Sequence, residues 1–248
     1  MPILRALTPQ DIGQAMELSI AANWNQLPAD WARVLCLEPE GCFCMEEDGR
    51  VVATATAVTY GTDLAWIGMV LTHPEYRGRG FAARLMWACL EYCERRGLGC
   101  VKLDATDMGR PLYEKLGFIE ESVVERWRGE LPEMPVREFA LDLALDRLAF
   151  GADRRAVLAL LGAARAGRVA NYVGPVVARS MEEAREKVLH AGVSGTTYWD
   201  VPEMNVVAWE LAHELGFAPV RKLWRMRKGA PIEERPEFIY ALAGFEFG

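Results

Sequence analysis

Apolar and polar positions alternate with two different periods along the first half of the chain. Residues 3–7 form a short apolar run that ends at Thr8, Pro9, Gln10 and Asp11. Thr8 is placed to cap a helix whose first residue is Pro9. Ile12, Ala15, Met16, Ser19 and Ile20 then recur at helical spacing and give that helix one buried face. Asn23 to Pro28 break it, and a second helix follows with Trp31, Val34 and Leu35 on one side. A meander comes next: a strand at 42–46, a hairpin turn at Asp48-Gly49, a Val- and Thr-rich strand at 51–60, and a strand at 64–71. Ala82, Leu85, Met86, Cys89 and Cys93 share one stripe of a long helix at 82–95. A strand at 100–103, a short helix at 111–116 and a strand at 122–128 complete this half. Pro111 opens the short helix and Gly117 closes it.

Leu131-Pro132-Glu133-Met134-Pro135 reads as a linker, so the pattern predicts a first domain over 1–130, a linker over 131–138 and a second domain over 139–248. In the second domain an apolar stretch at 139–149 precedes a helix at 154–165. A strand at 169–173, a helix at 181–190, a strand at 196–199, a helix at 206–215 and a strand at 220–227 follow. Leu116-Gly117-Phe118 recurs as Leu215-Gly216-Phe217, 99 residues later. Each copy follows a helix and precedes a strand carrying Trp-Arg, at Trp127-Arg128 and Trp224-Arg225. The matching order of elements marks the second half as a diverged copy of the first. The tail from Phe238 to Gly248 is apolar to the last residue, so it is expected to pair with a sheet or plug a cleft.

Composition narrows the function classes. The 248 residues are 51% hydrophobic and 25% charged, ordinary values for a globular chain that exclude a disordered one, while the alternation of strands and helices makes the fold class α/β. With 28 Lys and Arg against 35 Asp and Glu, the net charge is −7. That argues against nucleic acid as a partner. No apolar run is long enough to span a membrane, and Pro9 and Asp11 interrupt the place of a signal sequence. A soluble, cytoplasmic protein with no membrane partner is expected. All six cysteines lie between Cys36 and Cys100, without metal-ligand spacing, so neither a disulfide scaffold nor a metal is expected.

The sharpest motif is Arg77-Gly78-Arg79-Gly80-Phe81-Ala82, set between a strand and a long helix. Glycines let backbone N–H groups approach an anion, the helix start adds unpaired donors and partial positive charge, and two arginines add forked cationic contacts. Together these suit a pyrophosphate. A solvated turn before a helix is the alternative.

At this motif the chain resembles the GNAT acetyltransferases, which move an acyl group from acyl-coenzyme A to an amine. Arg77, Gly80 and Ala82 match the family's Arg/Gln-x-x-Gly-x-Gly/Ala signature, led in by Pro74 and Tyr76. Tyr113, four residues before Gly117-Phe118, matches its second signature. The resemblance covers residues 1 to about 130, and the tandem arrangement is similar to a subgroup with a degenerate second half. It implies a GNAT-type mixed central sheet flanked by helices, followed by a smaller degenerate GNAT-like half. It also implies acetyl-CoA as acyl donor. Met69, Val70 and Leu71 would pair with the pantetheine arm, and residues 77–82 would hold the pyrophosphate. Tyr113 would protonate the leaving thiolate. Where the family often has an Asn that contacts the coenzyme, this chain has Thr106.

The acceptor chemistry is open to estimate. Deprotonating an amine of pKa near 10.4 at neutral pH costs about 4 kcal/mol. Positioning two reactants supplies about 7–11 kcal/mol, so direct attack in a ternary complex is feasible. Asp104, just after a strand, is the first candidate for the base, with a surface or capping role as the alternative. The Gly248 carboxylate is a further option. Trp24, Asn25 and Gln26 combine an aromatic wall with amide groups suited to a polar small-molecule amine, and Tyr60 and Trp66 are further candidates. Trp24 as a lid on the core is the alternative. In the second half Ala178, Met181 and Ala212 stand at the positions of Arg77, Gly80 and Tyr113, so it is expected to bind no acyl-CoA. A coenzyme A-binding sensor is the competing function. The sequence is compatible with a homodimer and does not set the oligomeric state.

Overall fold

Local signals set the first elements. The computed structural model describes residues Met1 to Gly248. Asp11 accepts from the Thr8 N–H at 2.8 Å and from both arms of Arg5, which ties the end of β1 (Ile3–Ala6) to the start of α1 (Ile12–Ala21). Asn23, at φ +53°, then stops the helix. The Asn23 N–H reaches the Ile20 carbonyl and the Trp24 N–H reaches that of Ser19, both at 2.9 Å, a Schellman closure. Pro28 opens α2 (Pro28–Leu37), where Asp30 accepts from the Leu27 N–H. The Trp31 indole donates to Ser19 at 3.1 Å and joins the two helices.

These helices belong to the first of two compact units, Met1–Val101 and Lys102–Gly248. Its strands β2 (Cys42–Glu47), β3 (Arg50–Tyr60) and β4 (Leu64–Thr72) continue from β1 in the order β1-β2-β3-β4, each pair antiparallel. Residues 51–58 of β3 are buried at every position, as expected of a strand covered on both faces. The apolar stripe of α3 (Phe81–Arg95) supplies part of that cover, with Leu85, Met86, Cys89 and Cys93 all buried.

β5 (Cys100–Ala105) carries the chain into the second unit. There follow α4 (Arg110–Lys115), β6 (Ile119–Leu131), α5 (Leu143–Phe150), α6 (Arg155–Leu160), β7 (Ala164–Arg165), β8 (Asn171–Val173) and β9 (Val176–Val177). Then come α7 (Met181–Leu189), β10 (Gly195–Pro202), α8 (Val206–Glu214), β11 (Ala218–Gly229) and β12 (Ile239–Ala241). The strand order is β5-β11-β6-β10-β8-β7, with β12 and β9 forming a separate pair.

The register of β6 on β11 obeys the repeat. Val124 pairs with Leu223, its own equivalent 99 residues on. Arg128 pairs with Ala218 and Ile119 with Arg227, two contacts that the same offset interchanges. Even the two register shifts, one on each side of the centre, are interchanged. A local two-fold axis therefore passes between the strands at Val124 and Leu223. Each copy of the repeat inserts its last strand between the last two strands of the other: β11 lies between β5 and β6, and β6 between β11 and β10.

Three boundaries depart from the sequence expectation. Leu131 ends β6 instead of opening the linker, and Pro135 and Arg137 beyond it are held to His190. The helix expected over 154–165 stops at Leu160, because Leu161 turns extended ahead of Gly162, and Ala164 and Arg165 form β7. The compact division at Val101 precedes the repeat boundary, because the end of the first copy, through β6, pairs with strands of the second copy in the second unit. The tail docks: β12 pairs with β9, and Leu242, Ala243 and Phe247 are buried. No helix is long and apolar enough to cross a membrane.

Candidate active site

The anion-binding turn is built by two left-handed glycines. His73 and Pro74 start a short 3-10 turn in which the His73 ring accepts from the Glu75 N–H. Gly78 lies at φ +76° and Gly80 at φ +78°, and a Cβ at either would meet nothing within 4 Å. Glycine is thus required here by backbone conformation, and the space beside it is open. Gly80 is the N-cap of α3, and its carbonyl accepts the first helical bond from Arg84 at 3.1 Å. The N–H groups of Phe81 and Ala82 belong to the first turn, whose donors have no intrahelical acceptor. Open space, a cationic helix end and unspent donors fit a pyrophosphate.

The two arginines divide. Arg79 turns back to Glu47 at the end of β2, with two contacts of 2.7 Å, and lies over the rings of Tyr76 and Phe81. That contact holds the Glu47 carboxyl below the usual carboxylate range. Arg79 was expected to bind the cofactor through its side chain. Its guanidinium instead braces the loop against β2. Arg77 makes no ion pair and reaches only the Thr72 carbonyl, at 3.4 Å. It is the arginine left for an anion.

Met69, Val70 and Leu71 sit at a β-bulge. Thr54 pairs with Leu71 and Thr56 with Gly68, so Met69 and Val70 together face Ala55. Met69 lies at φ +50°, and its carbonyl accepts from the Thr54 hydroxyl at 2.9 Å. A bulge re-aims backbone groups that a regular ladder would consume. Thr54 escapes sequence reasoning because a buried threonine in a Val- and Thr-rich strand carries no distinguishing signal.

Trp24, Asn25 and Gln26 follow the Schellman closure of α1; Trp24 is half-buried and both amides are buried. Tyr60 and Trp66 are about 1% exposed. Val58 pairs with Trp66 and Tyr60 with Leu64, so Tyr60 and Trp66 are diagonal neighbours on one face of β3–β4.

In the second unit, Tyr113 is buried on α4, with its ring edge-on to Phe118 at 6.1 Å. A Cβ on Gly109 would lie 2.9 Å from that ring, so this glycine permits the packing. The Thr106 hydroxyl accepts from the Gly109 N–H at 3.2 Å, just as Asn205 accepts from Ala208 at 3.0 Å in the second copy. Thr106 thus closes the turn that leads into α4, whose N-cap is Gly109, and has a hydroxyl proton still to donate.

Asp104 requires a correction. Its side chain is fully buried, and both oxygens accept from Arg225, at 2.9 and 3.0 Å. Both oxygens are thus taken up by Arg225, and neither is presented to an amine. The second copy repeats the arrangement: Arg126, 99 residues before Arg225, forks Asp200 at 2.7 Å twice. A pair that recurs where the other motif residues are gone belongs to the fold. Gly248 is likewise engaged, its main-chain oxygen accepting from Arg154 at 3.1 Å.

The equivalents in the second copy are closed. Ala178 and Ala212 are fully buried. α7 starts with Ser180 capping the Glu183 N–H, and Glu182 and Glu183 fill its first turn, where negative charge already meets the helix end. Burial pushes Cys42 and Cys93 up to about 12 and Cys44 to about 11.

Comparison with known proteins agrees with this geometry. Residues 12–118 match the acetyltransferase (GNAT) family, and residues 160–241 match a second acetyltransferase (GNAT) domain. An uncharacterized N-acetyltransferase of Bacillus subtilis, YitH, is 27% identical, with 98% of this chain and 97% of that protein covered. A holothin acyltransferase of Pseudoalteromonas is 28% identical over 46% of this chain, which spans only 37% of that protein. Among solved structures, an acetyltransferase candidate from Pyrococcus horikoshii superposes with a TM-score of 0.85 at 27% identity, covering 100% of this chain and 96% of that one. A GCN5-related N-acetyltransferase from Sphaerobacter thermophilus shares the fold, with a TM-score of 0.66 at 15% identity over 94% of this chain and 97% of that one. Two matched domains, a tandem relative aligned end to end and a whole-chain structural match make this chain a member of the GNAT acetyltransferase family, with two halves of that type in tandem.

Proposed function

We propose that the chain transfers an acetyl group from acetyl-CoA to the primary amine of a small molecule, by direct attack in a ternary complex. The observation that carries this reading is the Gly78–Gly80 turn at the start of α3, open to an anion and flanked by the unpaired Arg77. Phe81 and Ala82 add N–H donors for the pyrophosphate, and Met69, Val70 and Leu71 offer backbone groups to the pantetheine arm. Bound acetyl-CoA supplies an acyl group activated as a thioester. Tyr113 delivers a proton to the departing sulfur, with Thr106 as a second donor to the coenzyme. Trp24, Asn25 and Gln26 orient the acceptor, whereas Tyr60 and Trp66, expected to line the pocket, are too buried to touch it and pack the face of β3–β4 instead. With Asp104 committed to Arg225, the amine proton leaves through water, a cost of about 4 kcal/mol that positioning offsets.

The test is calorimetric titration of acetyl-CoA followed by an amine screen. Wild type should bind one acetyl-CoA per chain. Arg77→Ala should weaken binding about tenfold or more, the value of a charge-assisted contact. Tyr113→Phe should lower kcat about a hundredfold with little change in KM for acetyl-CoA. Two sites per chain would overturn the silent second half, and binding without turnover on any amine would favour the sensor.

A further inference from the structure

The face of β11, β6 and β10 that carries the Asp200 fork holds more positive charge than the fork needs. Arg221 pairs across strands with Arg126, and Arg126 with Asp200. Arg128, two residues beyond Arg126 on the same face, pairs with Tyr198. Arg126 is buried and spends its charge on Asp200, with the rings of Phe245, Tyr198 and Tyr172 at 4.4, 5.1 and 5.7 Å from its guanidinium. Asp200 also accepts from the Tyr172 hydroxyl at 3.0 Å. The one carboxylate of the row is thereby consumed.

Arg221 and Arg128 remain. Arg221 is half-buried and forms neither an ion pair nor a hydrogen bond, and Arg128 is exposed and likewise unpaired. Burial and the charge of Arg126 both disfavour the Arg221 cation, and the groups acting on it are Arg126, Asp200 and Tyr198. Glu125 and Lys222 pair with each other at the next register position, on the opposite face. Two like charges directly opposite across strands destabilise a sheet, and a desolvated guanidinium without a counter-ion adds to that cost.

The fold itself does not require this arrangement. The local two-fold relates Arg221 to Ser122, so the matching row in the first copy is Ser122, Arg225 and Asp104, which is neutral. Arg227, the counterpart of Arg128, is paired with Glu121, so the uncompensated positive charge is specific to the second copy, in a chain whose net charge is −7.

We propose that Arg221 and Arg128 form an oxyanion site on the second half, taking the carboxylate or phosphate group of a small molecule, with Tyr198 beside it. A forked guanidinium matches two oxygens of either group.

The test titrates the full-length protein at constant ionic strength with inorganic phosphate and, separately, succinate, following the arginine side-chain N–H signals by NMR. One probe or both should shift the Arg221 signal with saturation. Arg221→Ser, which installs the residue of the first copy, should weaken that binding at least tenfold without lowering the melting temperature. Arg128→Ser should weaken it less, and Arg77→Ala should leave it unchanged, which separates this site from the turn before α3. Which probe binds tighter distinguishes phosphate from carboxylate ligands. Equal binding by Arg221→Ser and wild type, loss in Arg77→Ala instead, or no saturable shift with either probe would overturn the proposal.

Discussion

Asp104 and Asp200 are each held by one of the two arginines that the local two-fold interchanges, Arg225 and Arg126. Removing one partner of a buried pair leaves an uncompensated charge, a loss of about 3–5 kcal/mol. Asp104→Asn and Asp200→Asn should therefore both lower the urea midpoint substantially, while the pH–rate profile of Asp104→Asn keeps the wild-type shape. A shifted profile would restore Asp104 as the base. A second effect concerns acid. The Arg5 fork lowers the Asp11 carboxyl to about 2. A lowered folded-state value means that this contribution is complete above the unfolded carboxylate range and is lost as pH falls from about 4 to 2. Asp11→Asn should cost about 1–2 kcal/mol at neutral pH and nothing near pH 2, measured as the difference in urea midpoints. Thiol reagents provide a third check: at pH 8 only the exposed Cys36 should react quickly, because the other five are buried. The motif residues Arg77, Gly80 and Tyr113 were legible because each must stand at a fixed spacing. The engagement of Arg79 by Glu47 was not, since the two are distant in sequence and an ion pair leaves no periodic trace.

Two helix starts show how elements with one ancestry come to differ. α3 begins at a left-handed glycine with space around it, whereas α7 begins at a serine cap with two glutamates in its first turn. Gly80→Ala forces a side chain into a left-handed position, a strain of about 1 kcal/mol. It should lower stability by that amount and acetyl-CoA affinity by more, because the N–H groups it displaces are the ones proposed to hold the pyrophosphate. Ser180→Ala should cost about 1 kcal/mol of stability and leave acetyl-CoA binding untouched. Calorimetry with thermal melts on both variants checks the pair. The helices and strands of the first half were readable from their spacing and caps. β7, β9 and β12 escaped because two- or three-residue strands are too short to show a period and are made by tertiary pairing alone.

At the scale of the whole molecule, the 99-residue repeat was visible in three residues and an order of elements, but the exchange of strands was not. A strand has the same alternation whichever neighbour it pairs with, so β6 gives no local sign that it lies between β11 and β10. The exchange makes a direct prediction. A fragment ending at Leu131 lacks β11 and β10 and leaves both edges of β6 unpaired, so it should be insoluble or unfolded by circular dichroism, although it holds every matched motif residue. Adding residues 132–248 as a separate chain should recover folded protein in equimolar complex.

The local two-fold through Val124 and Leu223 is the symmetry of an isologous dimer whose protomers have swapped strands, here contained in a single chain. Tethering fixes the effective concentration of each half for the other, so the fold's completion is unimolecular. Its melting temperature should then not change with dilution, as that of a two-chain counterpart must. Such a tether also frees one half from having to bind a ligand. So long as β11 and the Arg225 fork remain, the second half can change the rest of its surface, and the row bearing Arg221 is one place where it has done so.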